Sequence, residues 1–172
     1  MKKKFWIVFF LIDILLIAGG IFWFLHNRDR DHHKDEVHYH AGFQVYVDDV
    51  KQDFSDFKYM KIEPCGTDHS EGDEQLEKAH LHDNVGDVVH VHRDGAKWSD
   101  LFQNIGYTID PNVEGYLNGQ LVPQVLTMPI IGNGSMVFFV GDNTDIPQKV
   151  AGRVNQDHIK EVEAMSEKCG DE

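Results

Sequence analysis

Hydrophobic and polar positions divide this chain into one long apolar run and a series of short alternating segments. Residues 5–25, FWIVFFLIDILLIAGGIFWFL, form a 21-residue run broken by a single charge, Asp13. About 20 apolar residues span a bilayer core as a helix, so the run predicts a membrane anchor. Lys2, Lys3 and Lys4 precede it. The positive-inside rule then puts residues 1–4 in the cytoplasm as a short tail and everything after the anchor outside. A cleaved signal peptide is the rival, with small residues at Ala18-Gly19-Gly20. The apolar run continues past them through Leu25, however, which is too long for an ordinary signal. Asp13 at bilayer depth costs at least about 2.5 kcal/mol on insertion scales; protonation or a polar partner helix accommodates it.

Residues 26–36, HNRDRDHHKDE, are wholly polar and predict a solvated linker that includes His32 and His33. Alternation begins at residue 37. Val37, Tyr39, Ala41, Phe43, Val45 and Val47 take one face of a strand, and His38, His40, Gly42, Gln44 and Tyr46 the other. Asp48-Asp49 predicts a turn into a short second strand running to Phe54. Residues 55–75 read as a polar loop with Pro64, Gly66 and Gly72.

The segment 79–93, AHLHDNVGDVVHVHR, predicts a β-hairpin. Leu81, Val89 and Val91 share the core face only if paired residue numbers add to an even value. A three-residue loop at Val85-Gly86-Asp87 meets that condition and sets His82 opposite His90, and His80 opposite His92. All four histidines then project from one face, and a slip of one residue would separate them. Trp98, Leu101, Phe102 and Ile105 recur at helical spacing, which predicts a helix over 97–105 stopped by Gly106. A hairpin turns on Asn118-Gly119, a buried strand follows over 135–141, and Val150, Val154, Ile159 and Val162 predict a terminal helix over 147–168. The folded domain is accordingly residues 37–146, with a C-terminal helix and tail over 147–172.

Charge narrows the function. The chain carries net −13, and beyond residue 30 it holds 27 Asp and Glu against 11 Lys and Arg. Nucleic acid needs a basic face, so that partner is excluded. The two cysteines, Cys65 and Cys169, have no C-x-x-C spacing. Outside the cytoplasm they can form a disulfide or stay as two thiols, and the sequence leaves both open.

Two resemblances bear on the fold. The order hairpin, helix, hairpin, strand over 79–141 resembles the β-grasp fold, with sulfur-carrier proteins most similar. Those proteins have a V-N-G-x-x-V-P-like hairpin and then a G-D-x-V-x-F-like strand. The matching segments are Tyr116-Leu117-Asn118-Gly119-Gln120-Leu121-Val122-Pro123 and Gly134-Ser135-Met136-Val137-Phe138-Phe139-Val140-Gly141. The resemblance implies an α+β domain: a β-grasp-like mixed sheet with one packed helix, here preceded by a transmembrane helix and followed by a C-terminal helix. It does not extend to sulfur transfer, because 31 residues follow Gly141 in place of a free Gly-Gly terminus. The histidine segments resemble a group of uncharacterised membrane-anchored or secreted prokaryotic proteins. That group shares an H-x-H-A strand, an L-H-x-D segment and a G-x-x-x-H-x-H segment; the first and last are met here at His38-Tyr39-His40-Ala41 and Gly86 through His92, while Leu81-His82-Asp83 departs from the second in having Asp directly after the histidine. It implies an extracytoplasmic domain and supplies no reaction.

The candidate chemistry lies in three His-x-His units, His38/His40, His80/His82 and His90/His92, which hold six of the eleven histidines. On a strand, residues i and i+2 point the same way, so each unit offers two imidazoles to one ion. Neutral imidazole suits copper and zinc. Histidine can also fill a polar strand face without binding anything, or act as a pH-responsive surface. Three units opposite an apolar stripe favour the metal. Asp83 and Asp87 are candidates to orient imidazoles, although turn chemistry explains both; Glu36 and His69 are weaker candidates. The sequence thus predicts a membrane-anchored, extracytoplasmic copper- or zinc-binding module with His38, His40, His80, His82, His90 and His92 as ligands. The alternatives are a zinc-dependent hydrolase or hydratase and a surface interaction protein without metal. No H-E-x-x-H or G-x-S-x-G motif is present, so the module ranks above the enzyme.

Overall fold

The computed structural model describes residues 36–60 and 74–165. The predicted cytoplasmic tail, the predicted 5–25 anchor, the predicted linker as far as residue 35, His69 and both cysteines lie outside the described residues. Among the described residues no helix is long and apolar enough to cross a membrane.

The domain is mixed α+β. Its six-stranded sheet consists of β1 (Glu36–Val47), β2 (Val50–Lys51), β3 (Val88–Arg93), β4 (Glu114–Leu117), β5 (Gln120–Val122) and β6 (Ser135–Val140). The order runs β2-β1-β6-β4-β5, and β3 also pairs with β1. β1 and β6 are parallel at the centre, with Gly42 beside Ser135 and Val47 beside Val140. β4 is antiparallel to both β5 and β6. Among the described residues there are four α-helices: α1 (Glu74–Lys78), α2 (Trp98–Asn104), α3 (Ile146–Ala151) and α4 (Gln156–Ala164).

The alternation predicted for 37–47 is the feature that organises this sheet. Ala41, Phe43 and Val45 are fully buried and join Val89, Val91, Met136 and Phe138 in the main core. α2 closes that face. Its Trp98 ring lies 5.3 Å from Phe138 and 6.2 Å from Phe43 between centroids. The predicted stop at Gly106 is present, with φ +66, and Asp100 accepts the Lys97 N–H at the helix start.

Three features differ from the sequence reading. The first strand of the expected 79–93 hairpin is reduced to a single bridge between His80 and His90. Its turn falls at Asp83-Asn84, both left-handed (φ 55 and 57), and not at Val85-Gly86-Asp87; the Val85 N–H donates to the His82 carbonyl at 3.0 Å. Asp and Asn tolerate that conformation better than other side chains, because their short polar groups bond locally. The register therefore moves by two residues, so His80 faces His90 and the expected pairs His82/His90 and His80/His92 are not opposite. A shift of two preserves the faces, and Leu81 remains buried with Val89 and Val91.

The long partner of β3 is β1. Phe43 N–H donates to the Asp87 carbonyl just before β3, while the His38 ring lies beside that of His92 near the far end of β3, so the two strands run antiparallel. The hairpin that precedes α2 is therefore built from β1 and β3, with residues 48–87 inserted between them. Finally, the single C-terminal helix is two. α3 ends at Gly152, and Asn155 starts α4 by accepting the His158 N–H at 2.8 Å. Both belong to the domain core and do not trail it: Val137, Phe139 and Val150 cluster, as do Val88, Val154, Ile159 and Val162. The folded unit accordingly continues past residue 146.

Candidate metal centre

The sheet face opposite α2 is divided along β1. At Gly42 the C-terminal helices cover it so closely that a Cβ there would lie 2.6 Å from the Val154 Cβ. Beyond that point, toward the start of β1 and the end of β3, the covering is made of imidazoles. His38 and His40 come from β1, His90 and His92 from β3, and His80 and His82 from the segment bridged to β3. All six are within ring contact. His40 and His90 have centroids 4.5 Å apart, His38 and His92 5.5 Å, His80 and His92 5.4 Å, and His82 and His90 4.7 Å.

These six do not all face outward, as the half-exposed hairpin predicted. His40 and His90 are 3% and 1% exposed. His38 is exposed, and His80, His82 and His92 are partly buried. The reason is the pairing of β3 with β1, which brings three histidine pairs from distant parts of the chain over one another and buries those in the middle.

Neither ring nitrogen of His40 has a hydrogen-bond partner among the described residues. A buried polar group left so costs about 1–3 kcal/mol. Burial, then the neighbouring His38, His82 and His92, hold the His40 pKa down to about 4. Burial and the neighbouring His92 do the same for His80, whose pKa also falls to about 4, and for His90, which is lowered by burial and then by His92 and His80. At neutral pH these imidazoles are uncharged, the form that carries a lone pair for a metal.

Two groups of three histidines each place one ligand nitrogen per residue within 4.8 Å of the others: His38, His40 and His90, and His80, His90 and His92. Two nitrogens bound to one ion at about 2.0–2.1 Å are at most about 4.2 Å apart, so ring shifts of under about 1 Å close either group. The geometry can hold a metal ion, and the donor set, all imidazole nitrogen, fits a transition metal better than calcium or magnesium.

Neighbouring groups fix the rings. The Leu76 carbonyl lies 3.1 Å from His80 Nδ1. Asp83 Oδ2 lies 2.7 Å from His82 Nδ1, so Asp83 makes both the turn and an imidazole contact. Asp87 does not touch the cluster; it pairs with His158 at 3.0 Å, beside a concavity of about 470 Å³ lined also by Lys51, Asp53 and Asn84. The sequence reading missed His158 as a partner, and it missed α1, the helix that supplies the Leu76 carbonyl. Asn104 holds α1 in place by donating to the carbonyls of Gln75 at 2.7 Å and Ala79 at 2.8 Å. Arg93 does so from β3, through its Nε to Glu77 at 2.8 Å. His32, His33 and His69 lie outside the described residues.

No protein-family model matches the chain, and no curated protein or solved structure matches it either. The functional reading therefore rests on the site itself.

Proposed function

We propose that this protein is a copper- or zinc-binding module, held on the outer face of a membrane by its 5–25 helix. The observation that carries the reading is His40: a buried imidazole whose two nitrogens have no partner among the described residues, in ring contact with His38, His82 and His90 from three parts of the chain. A protein surface has no need to bury such a group, and a metal bond removes its cost. Neutral imidazoles held close before the ion arrives favour capture, buffering or sensing. A hydrolytic zinc would need an open position and a base beside it. Asp83, the carboxylate bonded to the cluster, is taken up by His82, which favours the module over the enzyme.

We read the scaffold as β-grasp-like. The parallel central pair β1–β6, the flanking order β3-β1-β6-β4-β5 and the packing of Trp98 of α2 on Phe43 and Phe138 support that reading. The outward orientation of the domain rests on Lys2, Lys3 and Lys4 before the apolar run.

The test is elemental analysis of the untagged full chain purified in detergent, followed by titration of Cu(II) and Zn(II) into the stripped protein. Stoichiometric binding of either metal, lost when His40 and His90 are both replaced by Leu, is the expected result. A stripped protein that takes up neither metal at micromolar concentration refutes the reading.

A further inference from the structure

We infer that Asp83 and His82 form a relay that commits His90 to one ion through its Nε2, leaving His82 outside the ligand set. The inference rests on the metal reading and goes beyond it by assigning roles within the cluster.

The argument is one of proton placement. Asp83 Oδ2 and His82 Nδ1 are 2.7 Å apart. An ionised carboxylate only accepts, so His82 carries its proton on Nδ1. A neutral imidazole has one N–H, which makes His82 Nε2 an acceptor. That atom lies 2.6 Å from His90 Nδ1. His90 Nδ1 must therefore hold the His90 proton, and the lone pair falls on Nε2. Both nitrogens of His82 are engaged in this chain, so it does not serve a metal.

The consequence concerns stoichiometry. His90 belongs to both groups of three. With its lone pair confined to Nε2 it can bond one ion at a time, so the two groups are alternative settings around a single ion. His38 and His40 complete one setting, and His80 and His92 the other. The ion can shift between them while His90 stays bound. His38, the exposed member, puts the first setting nearer solvent, which makes it the side of entry. Only 1% exposed, His90 is itself held in place by its packing. Carboxylate–imidazole chains of this kind orient a ligand and raise its basicity, and their loss typically weakens metal binding about 10–100-fold.

The test has two arms on the full chain in detergent. Nitrogen-15 NMR of the metal-free protein at pH 8, where ordinary imidazoles are neutral, reads the tautomer directly. His82 and His90 should both be protonated on Nδ1, the less common form in water; an Nε2–H signal for His90 overturns the relay. Zn(II) titration against a competing chelator reads the roles. The wild type should bind one ion. His82→Gln, whose side-chain oxygen can replace Nε2 as acceptor, should bind within about threefold of wild type, and His82→Leu about 10–100-fold more weakly. Two ions per chain, or His82→Gln as weak as His82→Leu, overturns the inference while leaving the metal reading intact. No binding by the wild type removes both. If His82→Leu does not fold, the tautomer and the wild-type stoichiometry still decide the matter.

Discussion

His40 of β1 and His90 of β3 keep their ring centroids 4.5 Å apart while almost wholly removed from solvent. Few buried pairs consist of two neutral bases, because each disfavours the charge of the other and each needs a hydrogen-bond partner. His40, with neither ring nitrogen hydrogen-bonded among the described residues, therefore marks a place where the fold gives up stability, and its substitution should raise the stability of the metal-free protein while weakening metal binding.

Replacing His40 with Leu should leave the metal-free protein at least as stable as wild type, with a gain of about 1 kcal/mol, since an unpartnered buried group is removed. The same variant should lose most of the stabilisation that Cu(II) or Zn(II) gives the wild type. Urea denaturation with metal and with chelator measures both. A His40→Leu variant less stable than wild type without metal would show that His40 is already satisfied in the apo fold.

Acid should destabilise the metal-free protein through these same groups. His40 and His80 titrate at about 4 in the folded state and near 6.5 when unfolded. Between those values the unfolded chain binds more protons than the folded one, so stability falls as pH drops. The contribution is fully present above pH 6.5 and is lost progressively down to about pH 4. Thermal melts from pH 7.5 to pH 4 should show this, and the His40→Leu variant should show a shallower decline. Equal slopes in the two proteins would be inconsistent with a depressed His40 pKa.

Asn104 should matter for His80 although it never touches it. Buried in α2, it donates to the carbonyls of Gln75 and Ala79, and so fixes the segment that ends in His80. Asn104→Ala leaves those carbonyls without their donor and should cost about 1–3 kcal/mol. Hydrogen exchange should rise across 75–81, and metal affinity should fall with it. Unchanged exchange over that segment would separate Asn104 from the site.

Gly42 marks the boundary between helix cover and imidazole cover. A Cβ there would lie 2.6 and 2.7 Å from two Val154 atoms and 3.3 Å from Ile159 Cδ1, so Gly42→Ala should destabilise the domain by about 1–3 kcal/mol, the usual cost of overpacking. Adding Val154→Ala should recover part of that loss. A double variant no more stable than Gly42→Ala alone would mean that the α3–α4 connection at Val154 does not rest on β1 in solution.

Local periodicity assigned the faces of the elements and the chemistry they carry. Alternation over 37–47 assigned Ala41, Phe43 and Val45 to the core and His38 and His40 to the other side, and the structure agrees. The same holds for Leu81, Val89 and Val91, for the helix bearing Trp98, Leu101 and Phe102, and for the Asn118-Gly119 turn. These are local matters: side-chain direction follows from the backbone period, and turn type from residues that tolerate positive φ. Which strands meet is a long-range matter. Pairing β3 with β1, across some forty inserted residues, depends on the shared core of Phe43, Val89 and Phe138, and no local pattern encodes that partner. The register at His80 was equally hidden, because a shift of two leaves every face unchanged and the hydrophobic pattern is blind to it. Burial of His40 and His90 followed from those long-range choices. It separates a row of surface histidines from a cluster of imidazoles with a buried centre, since burial, followed by the neighbouring histidines, keeps those rings neutral and makes an unpartnered nitrogen costly.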